Sequence, residues 1–485
     1  MRLAEQLLKA NNESRDALHV NDRGYSYQQL LNIANNIMGR LSQKTRSIGI
    51  LSYRDITYFA SVYGCATSNR TFVPLGVKFP IERLVSIVQQ SALNTIVVAQ
   101  QYADLAEKLS LHLPDVTFIY IDNTESEHYA TPPESLEPCE NNNIAYILFT
   151  SGSTGIPKGV PISLENLQSY LDYMTDYLKL TPQDRVSQIF DPTFDLSIHD
   201  MFVTWLSGAC LYVLPEAAMF APGKFAKKHE ITVWFSVPST AAIMAKIGML
   251  KPQAYPLLRY SLFCGEPLPV ELARKFQLAA PNSQVINLYG PTEATIACTH
   301  HIFELEREYS HSYIPIGTCF SHMQMALNAQ SELLISGKQV FSGYLNNPTK
   351  TRDSFDVIDG RRFYRTGDIA KYNHLNELEY VSRLDDQVKI QGYRIELSEI
   401  DTLSKALISN PLVQSIAYPK GAPQFIALFI CGQADKNIEQ QLMTSLKSKL
   451  PSYMIPKKVL WLNDMPLNSN GKIDKLALYA MLEKE

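Results

Sequence analysis

Along the chain, short apolar runs alternate with longer stretches in which apolar residues return every three or four positions. IAYILF (144–149), VINLY (285–289) and ELLIS (332–336) are runs of the first kind. Their alternation with helical period is the signature of an α/β protein. One helix is placed by its stripe: Leu164, Leu167, Leu171, Met174 and Leu178 follow Ser163 at spacings of three, four, three and four. This predicts a helix with Ser163 as N-cap and one apolar face on a sheet. The stretch FTSGSTGIPKGV (149–160) therefore lies between a buried strand and a short run leading into that helix. No repeat or low-complexity linker is visible. From about Asp385 onward helix and strand mix in a smaller α+β pattern. The expected division is a large N-terminal domain over 1–384, with several subdomains of mixed sheets and helices, and a small C-terminal domain over 385–485.

Composition narrows the function. With 485 residues, 46% of them hydrophobic, the chain is too long for one core and can bury several. Charged residues make up 19% and the formal net charge is -4, so no global basic field invites nucleic acid and no acidic tail solvates the chain. Small molecules and local docking surfaces are the expected partners. The seven cysteines are odd in number and contain no CxxC pair, which argues against a disulfide framework or a structural zinc and for a reducing cytoplasm. The opening MRLAEQLLKANNESRD carries charges where a signal peptide needs an apolar core. No run approaches the ~18 apolar residues of a membrane span. In a cytoplasmic chain the glycosylation pattern Asn12-Glu13-Ser14 is a chance match.

The glycine, serine and threonine residues of 149–160, with Lys158, have the makings of a phosphate cradle: glycine lets backbone N–H groups approach, hydroxyls donate and lysine supplies charge. Many Gly/Ser loops only turn. The Walker spacing, counted from Gly152, needs glycine at Pro157 and a hydroxyl at Gly159, and has neither. The dinucleotide pattern GxGxxG also fails, because Gly152, Gly155 and Gly159 are spaced by three and four.

YILFTSGSTGIPKGV (146–160) resembles the phosphate loop of adenylate-forming enzymes: acyl-CoA synthetases, luciferases and the adenylation domains of nonribosomal peptide synthetases. Further motifs follow in family order over nearly the whole chain: YSYQQL (25–30), FVPLGVKFPIERL (72–84), FDLSIHDMF (194–202), NLYGPTEATI (287–296), SGKQVFSGYLNNPTKT (336–351), YRTGDIAKY (364–372), SRLDDQVKIQGYRIELSEID (382–401) and NSNGKIDKLAL (468–478). The resemblance implies attack of a carboxylate on the α-phosphate of ATP, giving an acyl-adenylate and pyrophosphate, with catalysis by positioning and electrostatics. It implies Lys472 as the catalytic lysine bridging carboxylate and α-phosphate. Thr150, Ser151, Ser153, Thr154 and Lys158 would hold the β- and γ-phosphates, and Glu293 would help hold Mg²⁺. Asp368 would accept from the ribose hydroxyls with Arg383 nearby. Tyr289 would offer a face to adenine and Asn287 would read its exocyclic amine, with Gly265, Gly290 and Thr292 in the same ATP/AMP-binding set. Asp385 takes the hinge position, about which the C-terminal domain swings between half-reactions, and Gly392 the pantetheine tunnel.

Taken singly, these residues have plainer readings: a solvated lysine after an Asn-Gly turn for Lys472, a first-turn helix acid for Glu293, a buried tyrosine for Tyr289. Two positions depart from the family: Ser382 stands where glycine usually precedes the arginine, and Asn69 stands where glycine is common.

The substrate side follows from the same resemblance. Asp195 matches the aspartate that pairs with the α-ammonium in amino-acid-activating members, although Asp-Leu-Ser before an apolar run also reads as an N-cap. The remaining wall would comprise Leu196, His199, Phe235, Leu262 and Cys264, with Leu288, Ile296 and Ala297. It holds no acid or base for a charged side chain apart from His199, and lone histidines are commonly structural. A small or apolar amino acid is expected. LFCGEPLP (262–269) and PSYMIPKK (451–458) are similar to free-standing D-alanine:D-alanyl-carrier-protein ligases, which makes D-alanine a candidate. No carrier-type serine motif follows Lys472, so the expected acceptor is a separate phosphopantetheine carrier protein, with CoA as second candidate. An acyl-CoA synthetase and a non-catalytic nucleotide-binding scaffold are the alternatives. Cys298, His300 and His301 look metal-like, but strand alternation would put His301 on the opposite face from the other two.

Overall fold

The computed structural model describes all residues except 1, 11–13, 123–143, 153–155, 411, 422, 469–472 and 484–485. The chain divides into two compact units, one of 1–77, 90–148 and 159–384, the other of 78–89, 149–158 and 385–485.

Among the described residues, the first unit is built on three sheets. The largest has nine strands, and its middle is parallel: Gln284–Tyr289, Tyr260–Phe263, Val233–Ser236, Arg185–Gln188 and Cys210–Val213 lie side by side in that order. The register pairs Phe235 with Leu262 and Leu262 with Ile286. Because these strands are buried on both faces, they read as unbroken apolar runs, VWFS, YSLF and VINLY. A six-stranded sheet carries Ile144–Thr150 between Thr71–Pro74 and Lys158–Ser163, and a five-stranded sheet carries Glu332–Gly337 beside Arg361–Tyr372. The helix predicted after Ser163 spans Leu164–Leu178, and its five stripe residues include the fully buried Leu167, Leu171, Met174 and Leu178. Its start is a capping box, with Ser163 Oγ accepting from Asn166 N and the Asn166 side chain accepting from Ser163 N.

The second unit contains the hairpin Gln387–Ile390/Tyr393–Glu396 and the three-stranded sheet Val413–Tyr418, Phe425–Cys431 and Lys458–Leu462. Helices Leu397–Ile408, Lys436–Lys449 and Lys475–Glu483 complete it. Ile400, Leu428, Leu446 and Met454 share its core.

Asn69 has φ +56°. That left-handed conformation accounts for glycine being common there, and asparagine is among the few side chains that tolerate it. Among the described residues no helix is long and apolar enough to cross a membrane.

Candidate active site

In an open parallel sheet, ligands meet the carboxyl ends of the strands, and the predicted residues of the first unit collect there. Cys264 and Gly265 follow Tyr260–Phe263, Gly290 follows Gln284–Tyr289, and Asp195 opens the helix reached from Arg185–Gln188. Asn287 is almost fully enclosed, and its amide nitrogen donates to Pro315 O at 2.9 Å. With the N–H groups so directed, its oxygen is the end suited to an amine donor such as adenine's. Tyr289 donates to Asp368 Oδ2 at 2.5 Å, and Arg383 Nη1 donates to Asp368 Oδ1 at 2.7 Å. Asp368 is thereby fixed from both sides, and ribose hydroxyls would have to share oxygens that Tyr289 and Arg383 already approach. Burial, then the neighbouring Asp368 charge, pushes the Tyr289 phenol well up, so it is a donor throughout the working pH range.

The turn from Gly290 to Ala297 is drawn in tightly. A Cβ at Gly290 would lie 2.6 Å from Ala297 Cα, so glycine is required by close backbone approach. Thr295 and Ile296 have φ of +57° and +73°, conformations that β-branched residues rarely adopt. Gln339 holds the turn in place. Its Nε2 donates to Ala297 O at 2.7 Å and Ala294 O at 3.1 Å, while its backbone carbonyl accepts from Thr295 Oγ1 at 2.6 Å. Glu293 sits in the short 3-10 turn Thr292–Ala294, entirely buried, and accepts from the Tyr344 hydroxyl at 2.7 Å. Thr292 itself is partly accessible. Neither Gln339 nor Tyr344 stands out in the sequence as a site residue, since a buried glutamine and a tyrosine are ordinary in a core.

On the substrate side, the N-cap of the helix Asp195–Leu206 is Phe194, and no side chain caps it. The N-cap reading of Asp195 is therefore corrected: Asp195 is the first helical residue, where the helix dipole favours a carboxylate. It is partly accessible, whereas Asp200 in the same motif is fully enclosed and pushed well above the usual carboxylate range by burial. Of the two acids, Asp195 is thus the one suited to a cation. His199 shares one hydrogen bond of 2.7 Å between its Nδ1 and the Tyr170 hydroxyl. Burial pushes its pKa down to about 3, so the imidazole is neutral. Leu196, Phe235, Leu262, Cys264, Leu288, Ile296 and Ala297 are all buried.

Within the second unit, the described part of the loop 149–158 is gripped by acids. A Cβ on Gly152 would lie 2.0 Å from Ile156 O, so this glycine too is required by close approach. Gly152 N donates to Glu399 Oε2 at 3.1 Å, Lys158 Nζ to Glu396 Oε1 at 3.2 Å, and Ser151 Oγ to Arg394 O at 2.9 Å. Arg83 pairs with the other Glu399 oxygen at 3.1 Å, both side chains being buried. Burial pushes the Glu399 carboxyl up, against the pull of Arg83. Thr150 Oγ1 is buried without a hydrogen-bond partner. Loop donors that hold carboxylate oxygens, beside an orphaned hydroxyl, suit the oxygens of a triphosphate. Asp385 accepts from Gln387 N at 3.3 Å, and Gly392 turns the hairpin with φ +80°. Ser153, Thr154 and Lys472 lie outside the described residues, as does Asn12.

The two histidines of the metal-like trio meet different partners. His300 lies against Tyr177, with ring centroids 4.7 Å apart, while His301 Nδ1 meets Glu377 at 3.1 Å. Among the described residues no group of three or more His, Cys, Asp or Glu could hold a metal ion.

The model of the family described as AMP-binding enzyme matches residues 5–345. The chain belongs to this family. Over 508 residues this AMP-binding enzyme is 30% identical to a D-alanine–D-alanyl carrier protein ligase from Bacillus cytotoxicus, covering 99% of each chain. A ligase of the same name from Bacillus anthracis is also 30% identical, over 512 residues and 99% of each chain. Among solved structures, the Vibrio cholerae adenylation domain AlmE, in complex with glycyl-adenosine-5'-phosphate, superposes with a TM-score of 0.89 at 30% identity. The match covers 99% of this chain and 97% of that one.

Proposed function

We propose that the protein activates a small amino acid as its aminoacyl-adenylate at the expense of ATP, then transfers it to the phosphopantetheine thiol of a separate carrier protein. The observation that carries this reading is Asp195: a partly accessible carboxylate at a helix start, at the carboxyl edge of the parallel strands that also present Asn287 and Gly290. An amino acid can place its ammonium on that carboxylate, whereas a fatty acid brings no cation to offset the cost of covering it. The full-length similarity to D-alanyl carrier protein ligases and to an adenylation domain holding glycyl-adenylate supports the same substrate class.

In this reading the chain's own groups divide the work. Asp195 holds the ammonium, Asn287 and Asp368 orient the nucleoside, and Thr150, Ser151, Ser153, Thr154 and Lys158 hold the triphosphate. Lys472 neutralises the approaching carboxylate and α-phosphate, which is where electrostatic positioning lowers the barrier most. Glu293 would supply a carboxylate oxygen to Mg²⁺, a hard cation that shields triphosphate charge. Arg394 and Gly392 lie on the hairpin assigned to the pantetheine step, with Asp385 as hinge. The six cysteines among the described residues are free thiols, which suits a reducing cytoplasm.

Transfer is tested by incubating the enzyme with ATP, labelled glycine or D-alanine, and either a phosphopantetheinylated carrier or free CoA. The expected result is hydroxylamine-labile label on the carrier and little on CoA. Faster loading of CoA than of any carrier would overturn the assignment of the acceptor.

A further inference from the structure

We propose that Tyr170, acting through its hydrogen bond to His199, closes the side-chain end of the amino-acid site and restricts the substrate to glycine. This rests on the amino-acid reading of Asp195 and deepens it. On the helix Asp195–Leu206, Asp195 and His199 are four residues apart, so they lie on one face with His199 a turn further in. The Cβ separation at that spacing is roughly 5–6 Å. An α-amino acid anchored by its ammonium on Asp195 therefore has about one helical turn of depth before it meets the imidazole.

The imidazole cannot swing away. Its Nδ1 is tied to the Tyr170 hydroxyl at 2.7 Å, and its ring lies edge-on against Phe235 with centroids 4.9 Å apart. Phe235 is in turn backed by Phe190 at 5.1 Å. Tyr170 is held by the stripe of its own helix and by Phe320, with ring centroids 6.4 Å apart. It lies near enough to Cys264 and Asp195 to interact electrostatically with both.

The accessibility pattern points the same way. Walls that enclose an empty side-chain pocket stay open to solvent, yet His199 and Ile296 are each 1% exposed, Phe235 and Ala297 0%, and Cys264 2%. The residues that do remain accessible are Asp195, Gly265, Gly290 and Thr292, those that would face the ammonium, carboxylate and nucleotide. Two of these walls, His199 and Phe235, meet edge-on at this end of the site. Room is left for an amino acid whose side chain is a hydrogen atom.

Neutral His199, occupied by a phenol, offers no charge for an acidic side chain. Tyr170 is a positioning residue here: it touches His199, and His199 faces the substrate. Adding one methyl to a substrate in a closed apolar site typically costs roughly 10–200-fold in specificity, so glycine should exceed both alanine enantiomers by that margin.

The experiment is pyrophosphate exchange with glycine, D-alanine, L-alanine and L-valine for the full chain, comparing the wild type with Tyr170→Phe and Tyr170→Ala. Thermal unfolding serves as the check on folding. In the wild type, kcat/KM for glycine is expected to exceed that for either alanine at least tenfold, with valine inert. Tyr170→Phe keeps the ring but frees Nδ1 of His199, and should raise the alanine-to-glycine ratio in the same direction as Tyr170→Ala but by less. Tyr170→Ala lets His199 withdraw and should raise the alanine-to-glycine ratio at least tenfold, chiefly by lowering KM for alanine. Equal loss for all substrates in a folded Tyr170→Ala enzyme would show a merely structural role and overturn the inference. So would a wild type that prefers D-alanine or valine, a result that leaves amino-acid activation intact and can be read even if Tyr170→Ala fails to fold. Exchange with none of the amino acids would instead defeat the proposed function.

Discussion

His199 shows how a residue with an open reading in the sequence acquires a definite one through its neighbours. A histidine in FDLSIHD can read a substrate, hold a metal or fill a core. Its burial and its bond to Tyr170 leave it a neutral wall. Its folded pKa, about 3, lies below the ordinary imidazole value of 6.5, so between those values the unfolded chain binds the proton and the folded chain does not. The sign follows: stability is unaffected above pH 6.5 and falls as pH drops from 6.5 toward 3, by about 1.4 kcal/mol per pH unit. Urea unfolding between pH 7 and pH 5 should show a shallower acid loss for His199→Gln than for the wild type. The same slope in both proteins would mean that His199 is protonated in the native state. At this scale much of the candidate site was legible, because Asp195, Asn287, Tyr289, Asp368 and Arg383 stand in motifs that the resemblance singles out. Tyr170, Gln339 and Tyr344 were not, because each acts by filling a hydrogen-bonding or packing need that only the folded neighbours create.

At the scale of elements, the helix Leu164–Leu178 and the strands Ile144–Thr150, Gln284–Tyr289 and Glu332–Gly337 were readable from period and cap alone. Their patterns are local. The turn Gly290–Ala297 was not readable in its form. Its left-handed Thr295 and Ile296 run against their own propensities and persist because Gln339, over forty positions along the chain, takes up the carbonyls of Ala294, Thr295 and Ala297 and the Thr295 hydroxyl. The phosphate loop is a similar case. Its sequence announces an anion site, and in the second unit its Lys158 and Gly152 are already engaged by Glu396 and Glu399. If the loop holds ATP as proposed, the phosphates would have to displace those carboxylates. An ion pair such as Lys158–Glu396, with little exposure at either partner, contributes about 1 kcal/mol, or roughly fivefold in binding. Glu396→Gln is therefore expected to lower the KM for ATP in pyrophosphate exchange about fivefold. An unchanged or higher KM would show that the pair does not oppose ATP.

For the whole molecule, the α/β class and the family were legible because so many short motifs stand in one order along the chain, and a chance Gly/Ser loop would not bring the others with it. What order cannot convey is which acid the enzyme takes, since the proposed side-chain end of the site draws on a helix carrying His199 and on two strands, elements whose contacts are long-range. The central claim is that this assembly activates an amino acid through Asp195 and Lys472. Its most direct test is amino-acid-dependent exchange of labelled pyrophosphate into ATP, run with glycine and with acetate, its counterpart lacking the amine. The wild type should exchange with glycine and not with acetate. Asp195→Ala should lose about tenfold or more with glycine, as expected for a buried charge-assisted hydrogen bond of about 1.5–3 kcal/mol, and Lys472→Ala should lose exchange altogether while remaining folded. Undiminished glycine exchange in either variant, or wild-type exchange with acetate equal to that with glycine, would contradict the account.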